Sequence, residues 1–547
     1  MVRVSSAVGR GLAAVGGLLF LLSSSAIAVP HVRPSVHRKL QTQGSVTVVV
    51  TMAAGTDSVI NSHHESASDG EDRGKEITGL VDSLKRHSAE SQREITALLS
   101  RESAEATPPY SSYKTFYITN EVVIRDAKIE LIEKLVGLPG VKEIREQEVF
   151  QVPELLISKD AKNNTRPSVA WGVQKIGAPT AWAFGYRGQS VVVGVIDTGV
   201  RLTHESLKSS FRGEYGWFDP AGKTDAPTDD AGHGTAVTSV LVGSNGLGVA
   251  PRSKWMACKS CAASTCVTED MLACMQFMLC PTDTKGGKQD CSKAPRVVNN
   301  SWGKDTVIEA YRPAIDAWRK AGIIPVFANG NFGPFCETVY YPAGFSNVIA
   351  VGAANRNDTL ELISSKGPAV GGVVKPDFTA PGGDIRCAWS DSDSDYRTYT
   401  ATSLAAPHVS GAIALLLDRN PKLSYEDVVA LLGETTRRQV TLPPDDETCG
   451  DPATSMTTFP NNQIGYGRID ASRAMVELVF NHKKRTPKPT PMPPKPIPSA
   501  TATPTPSTPT PSTSIPSTST TSPPTSSPPT VTATPTVVPS STPRAVI

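Results

Sequence analysis

The chain has 547 residues, too many for one ordinary domain, and its length suggests two or three units with tails. Its 54 Lys and Arg against 52 Asp and Glu leave a formal charge of +2. That balance gives no electrostatic case for a nucleic-acid partner or an anionic membrane surface.

Read in chain order, Arg3 and Arg10 precede an apolar stretch from Leu12 to Leu22, and Ala26-Ile27-Ala28 supplies small residues for a cleavage site. This is the pattern of a secretory signal over residues 1–28, and the run is short for a bilayer span. No later stretch is apolar for long enough to be a membrane helix. The expectation is an exported, extracellular protein without a membrane span.

Residues 29–160 hold no Cys and read as a small α+β unit. Ser45–Thr51 is a β-branched run, hence a strand. A polar helix is expected from about 72 to 101, with Ile77, Leu80, Leu84, Ile95 and Leu98 near helical spacing. Tyr113–Thr119 alternates as a strand. Ile129–Val136 is a short helix stopped by Gly137 and Pro139, and Val141–Val152 returns as a strand.

The pattern changes across residues 161–482. Short apolar runs, at Val191–Ile196, Val297–Val298, Ile323–Phe327 and Val348–Val351, alternate with helical stretches. Continuous apolar strands imply a sheet covered on both faces, so this unit reads as α/β with a mostly parallel central sheet. All nine cysteines fall here (258, 261, 266, 274, 280, 291, 336, 387 and 449). Cys258-x-x-Cys261 with Cys266 has no nearby His pair to complete a zinc set, and an exported chain favours disulfides. An odd count leaves at least one thiol outside an internal pair, and spacing does not give the connectivity.

Residues 483–547 open with Lys483-Lys-Arg485, read as a solvated linker. From Thr486 onward, Pro, Ser and Thr make up 47 of 62 residues, with no aromatics. Such a segment cannot bury enough apolar surface to offset its chain entropy, and it reads as a disordered, O-glycosylated stalk.

Three glycine-marked or helix-opening turns in the α/β unit carry chemistry. Asp197-Thr-Gly199 ends a buried strand, where functional groups of open α/β sheets collect. Gly232-His-Gly234 opens an apolar helix with the imidazole left accessible between glycines. Thr402-Ser403-Leu-Ala-Ala-Pro407 opens another, where a Ser is most simply an N-cap, yet the helix dipole there also favours developing negative charge. Each alone reads as structural. Together their order, Asp then His then Ser, differs from that of chymotrypsin and of α/β-hydrolases.

With His204-Glu-Ser-Leu207, Asn300-Ser-Trp-Gly303, Gly330-Asn-Phe-Gly-Pro334 and Gly465-Tyr-Gly-Arg-Ile-Asp470, the chain resembles the subtilisin-like serine proteases over roughly residues 167–480. Trp171-Gly-Val-Gln-Lys-Ile176, Trp182 and Trp217-Phe-Asp219 are similar to the bacillopeptidase F branch. The resemblance implies Ser403 as nucleophile, His233 as general base, Asp197 as its orienting group, and Asn331 in preference to Asn329 as the oxyanion donor beside the Ser403 N–H. It also implies extended polypeptide substrates along Ser301-Trp302-Gly303 and Ala328-Asn329-Gly330. Phe332 and Tyr340 would wall an apolar first specificity pocket of reduced depth.

The 29–160 unit resembles the inhibitory, folding-assisting propeptides of this family. The chain is then a zymogen inhibited by its own propeptide, and a monomer. Processing is expected between about 150 and 170, near the glycosylation sequon Asn163-Asn-Thr165. The chemistry requires no cofactor. Relatives often hold calcium, but no compact Asp-rich loop locates a site; Asp391-Ser-Asp-Ser-Asp395 is the candidate and reads better as a solvated loop. The sequence departs from the family at Ala401 (usually Gly), Ala236 (often His) and Leu404 (often Met). A secreted binding protein on an inactive protease fold is the rival reading, against which the intact Asp197, His233, Ser403 and Asn331 weigh. An esterase needs Gly-x-Ser-x-Gly, and Ala401 and Ala405 flank Ser403 instead.

Overall fold

A computed structural model describes residues 31–64, 71–157, 169–444, 446–450 and 456–481. The signal segment, the sequon, the basic run and the Pro/Ser/Thr tail lie outside the described residues.

The N-terminal region runs β1 (His31–Val32), α1 (Pro34–Gln43), β2 (Val46–Met52), α2 (Asp57–Ser62), α3 (Glu71–Ser91), α4 (Arg93–Glu102), β3 (Ser112–Phe116), β4 (Glu121–Ala127), α5 (Ile129–Val136) and β5 (Val141–Glu146). β2 is β-branched everywhere but its last position and takes the middle of a sheet ordered β1-β5-β2-β4-β3. Sequence reasoning missed β4, which follows Tyr113–Thr119 across a turn where Asn120 adopts φ 52°.

The helix expected over 72–101 is two helices. The buried Gln92 side chain between them donates to Asn120 Oδ1 at 2.9 Å. The break lets one stretch of chain serve two cores. Ile95, Leu98 and Leu99 pack inside the N-terminal region, whereas Ile77, Leu80 and Leu84 join a cluster with Met275, Cys291 and Trp318 of the α/β unit.

Polar contacts reinforce this shared core. The buried Arg73 guanidinium donates to the carbonyls of Ala321 (3.0 Å), Ala294 (3.0 Å) and Pro295 (2.9 Å). Glu269 pairs with Lys114 at 2.6 Å and Arg125 at 2.7 Å. The strand expected over 141–152 likewise divides. Glu148 is captured by Thr268, whose N–H donates to the Glu148 carbonyl (3.1 Å) and whose hydroxyl accepts the Glu148 N–H (3.0 Å). Beyond it, β6 (Val149–Gln151) and β7 (Leu156–Ile157) pair with strands of the α/β unit.

That unit continues with α6 (Trp171–Lys175), α7 (Ala178–Ala183), β8 (Val192–Asp197), β9 (Trp217–Phe218), α8 (His233–Val242), β10 (Lys254–Lys259), β11 (Cys261–Ala262), β12 (Thr265–Val267), α9 (Thr268–Leu279) and β13 (Val297–Asn300). Then come α10 (Arg312–Lys320), β14 (Ile324–Ala328), β15 (Ile349–Ala354), β16 (Phe378–Pro381), β17 (Ile385–Ala388), β18 (Tyr396–Thr400), α11 (Thr402–Arg419), α12 (Tyr425–Thr435) and α13 (Ala471–Phe480). Seven strands form a sheet ordered β16-β15-β14-β13-β8-β10-β9, all neighbours parallel.

Alternation within the strands feeds both faces. Val193, Val195 and Val326 join the core of α11 and α13, while Ile196, Val298 and Phe327 join that of α9 and α10. The α/β architecture with helices on both faces is as the apolar runs imply. β8, first in sequence, has β10 on one side and β13 on the other, so the strand order reverses at it; groups at the carboxyl ends there face a natural crevice.

Disulfides join Cys258–Cys274, Cys261–Cys266, Cys280–Cys291 and Cys336–Cys449. Cys387 is free and buried, and burial pushes its thiol up to about 12, so it stays protonated.

Candidate active site

Asp197 is the last residue of β8 and His233 the first of α8, and a polar lattice fixes one against the other. His233 Nδ1 lies 2.7 Å from Asp197 Oδ1, which also accepts the Thr198 N–H at 2.7 Å. The Thr198 hydroxyl donates to Asp229 Oδ1 (2.9 Å) and accepts the Gly234 N–H (2.9 Å). Asp229 Oδ1 takes the Gly232 N–H (2.9 Å), while its Oδ2 takes the Thr235 N–H and hydroxyl at 2.9 and 2.6 Å.

Sequence reasoning missed Asp229; its signal is a carboxylate four residues ahead of the His. Both flanking glycines are obligatory. Gly232 has φ 85° and abuts the Trp389 ring, and a Cβ on Gly234 would meet the Gly199 carbonyl at 2.1 Å. The Nε2 atom of His233 is buried with no hydrogen-bond partner among the described residues.

Ser403 is the second residue of α11, and the extended Ala401 (φ −170°) is the N-cap, so the capping role considered for Ser403 is not its own. Pro407 sits inside this helix and lacks the N–H that would bond the Ser403 carbonyl. The freed carbonyl accepts the Ser301 hydroxyl at 2.8 Å, and the Ser403 hydroxyl donates to the Ser301 carbonyl at 3.2 Å. The residue after β13 and the head of α11 are thus tied reciprocally. Ala236 of α8 shares an apolar cluster with Ala401 and Leu404 on either side of Ser403.

The two asparagines after β14 differ in kind. Asn329 is buried, and its Nδ2 donates to the Ser365 carbonyl at 2.6 Å. Asn331 turns its Oδ1 to the N–H (3.0 Å) and hydroxyl (2.7 Å) of Thr402, which leaves its Nδ2 buried without a partner among the described residues. Tyr340 is buried against Gly330 and Gly303; a Cβ on either would meet it at 2.7 or 2.9 Å. The exposed Phe332 covers it at 5.4 Å between ring centres. Trp302 is buried against Tyr311 and Phe327.

The chain's own segment 149–157 runs past these groups. β6 pairs antiparallel with β12, matching Phe150 to Cys266, and the Val152 N–H donates to the Ser264 carbonyl at 2.8 Å. The Phe150 ring lies 6.0 Å from Trp302. Leu155 enters the cluster of Ala236, Ala401 and Leu404, and Leu156 pairs with Thr400, three residues before Ser403. Sequence reasoning placed peptide-binding edges at Ser301–Gly303 and Ala328–Gly330 and missed β12.

The candidate calcium loop is occupied by guanidinium groups: Asp393 pairs with Arg201 at 2.8 Å, Asp395 with Arg397 at 3.1 Å, and Asp391 also with Arg397. Among the described residues no three metal-ligating side chains come together, and no helix is long and apolar enough to cross a membrane.

A buried Asp–His pair lies at the switch point of the parallel sheet, and Ser403 lies near the start of α11, which packs against α8. The subtilase family model matches residues 188–467, and the chain belongs to that family. It is 33% identical over 428 residues to bacillopeptidase F of Bacillus subtilis (strain 168), across 73% of this chain and 28% of that much longer relative. It is 31% identical to Subtilisin Savinase of Lederbergia lenta, across 47% of this chain and 87% of the relative. Subtilisin DY of Bacillus licheniformis is also 31% identical, across 49% and 91%. The chain is a serine endopeptidase, a class that needs no cofactor for its chemistry.

Proposed function

We propose that the chain is a secreted zymogen whose region 29–160 blocks a site made of Asp197, His233, Ser403 and Asn331. The observation that carries this reading is the path of residues 149–157, paired with β12 on one side and with β18, just before Ser403, on the other. A segment held on both sides of a nucleophile excludes any other peptide from it, and residues 152–155 are those that cross. The secretory pattern of residues 1–28 supports export.

In the proposed reaction the Ser403 hydroxyl exchanges the Ser301 carbonyl for His233 Nε2, the buried atom with no partner among the described residues. The Ser403 oxygen attacks the peptide carbonyl as its proton passes to Nε2, and Asp197 holds the tautomer and stabilises the imidazolium. The oxyanion takes hydrogen bonds from the Ser403 N–H and from Asn331 Nδ2, the donor left unused in the resting site. Collapse breaks the C–N bond, and His233 returns the proton to the leaving amine. Water then repeats the sequence on the acyl-enzyme, releasing the acid and restoring Ser403.

Tyr340, filling the space over Gly303 and Gly330, supports a first pocket that takes small apolar side chains. Phe150 against Trp302 supports a preference for an aromatic residue further upstream. The test is the full-length chain carrying Ser403→Ala. It should remain unprocessed and unlabelled by a fluorophosphonate probe, while the wild-type chain labels and acquires a new N-terminus within or soon after residues 152–157. Processing of purified Ser403→Ala at the wild-type site would overturn the zymogen reading.

A further inference from the structure

Residues Cys261–Val267 form a two-stranded hairpin in which Ala262 pairs with Thr265, so only Ala263 and Ser264 make the turn. Their φ angles are 49° and 100°. A two-residue hairpin of this type I′ form needs positive φ at both central positions, which is why Asn-Gly is its usual sequence. Ala and Ser are poor choices there, because a side chain in the left-handed region crowds its own carbonyl. The strained residue is also the one in use, since Ser264 offers its carbonyl to the Val152 N–H.

The hairpin's neck is closed covalently: Cys261 and Cys266 stand opposite each other and are disulfide-bonded. Its base is tied to the catalytic strand, with Lys259 in register with Asp197 and the Ser260 N–H donating to the Asp197 carbonyl at 2.9 Å. Lys259 also reaches the Thr198 carbonyl (2.7 Å) and Asp230 (2.6 Å).

We infer that the Cys261–Cys266 disulfide is a substrate-positioning device, holding the Ala263–Ser264 turn in the one conformation that presents β12 and the Ser264 carbonyl to a bound peptide backbone. This rests on the reading of β12 as a peptide-binding edge. Without the bridge the turn relaxes, and the edge must be ordered again at each binding event.

The test compares the processed wild-type chain with Cys261→Ser/Cys266→Ser on two substrates. One is a chromogenic peptide reaching at least four residues upstream of its scissile bond; the other is a single-residue ester too short to touch β12. The double variant should raise KM for the long peptide about tenfold, the scale of one left-handed residue's strain, with kcat within about twofold. The KM for the ester should move far less.

Adding Ala263→Asn and Ser264→Gly should bring KM back to within about threefold of wild type, because the turn then holds itself. Fluorophosphonate labelling gauges the folded fraction throughout. Equal KM changes on both substrates, no change on the long peptide, no recovery with Asn-Gly, or no labelling even with Asn-Gly present would each overturn the inference.

A peptide N-methylated at the second residue before its scissile bond separates the two levels. If wild type binds it as well as the parent, β12 is not the edge and the underlying reading fails. If wild type rejects it, yet the cysteine variant keeps the wild-type KM for the parent peptide, only the role of the disulfide fails.

Discussion

Asp270 offers a quantitative test of how the N-terminal region sits on the α/β unit. It lies in the first turn of α9 beside Glu269, which is 2% exposed and pairs with Lys114 and Arg125 of β3 and β4. Those two cations are committed to Glu269, and Asp270 Oδ1 has no hydrogen-bond partner among the described residues. Burial first, and the neighbouring Glu269 second, push its carboxyl up to about 6 from 3.8, against the pull of Lys114 and Arg125.

A carboxyl raised on folding favours the folded state only while it is protonated. The penalty therefore accumulates as pH rises from about 4 to about 6, and it is complete above that. Two units correspond to about 3 kcal/mol. Asp270→Asn, placed in a Ser403→Ala full-length chain to prevent self-cleavage, removes the titrating charge. Urea unfolding at pH 4 and pH 8 should show the variant gaining about 2–3 kcal/mol more at pH 8 than at pH 4. Equal differences at the two pH values, or a loss at pH 8, would refute the account of Asp270 as a buried, uncompensated carboxylate.

His408 should titrate with the opposite sign: burial lowers it to about 4, so stability is lost as pH falls from about 6.5 to 4, and His408→Gln should flatten that acid limb in the same unfolding assay. Asn331→Leu should lower kcat by about 10²–10³, the range for losing an oxyanion donor and one known from a subtilisin, with KM little changed. Asn329→Ala, which breaks the bond to Ser365, should instead lower stability by about 1–3 kcal/mol; equal kcat losses for both would reverse the assignment. Tyr340→Gly should shift cleavage toward larger residues before the scissile bond in a peptide-library profile, and an unchanged profile would remove Tyr340 from the pocket. With Leu404 beside Ser403, activity should survive mild peroxide that oxidises exposed Met, and rapid inactivation would count against this.

Asp197, His233 and Ser403 stand out in the sequence as candidates because each sits in a short local frame, a strand end or a helix start marked by glycine or proline, and because their order is distinctive. The preference for Asn331 over Asn329 likewise rests on local spacing, while the bond from Asn329 to Ser365 appears only in the fold. The pairing of residues 149–152 with β12 was not legible, because contact at Ser264–Val267 is made by the main chain and has no side-chain signature. Asp229 was hidden in an acidic, loop-like stretch; four of its five hydrogen bonds cap the start of α8, and only the one from Thr198 ties that cap to the end of β8. The break at Gln92 escaped notice because helical periodicity continues through it. Only the tertiary fold shows that the two halves face different cores.

The Cys336–Cys449 bridge joins cysteines 113 positions apart and encloses Ser403, β15 to β18, α11 and α12. A concentrated endopeptidase is exposed to cutting by its own copies, and surface loops suffer first. A cut anywhere from 337 to 448 would leave two fragments still covalently joined, with the serine on one and Asp197 and His233 on the other whenever the break precedes Ser403. The bridge thus keeps the two pieces tethered after such a cut, and damage of this kind would show as new bands only on a reducing gel.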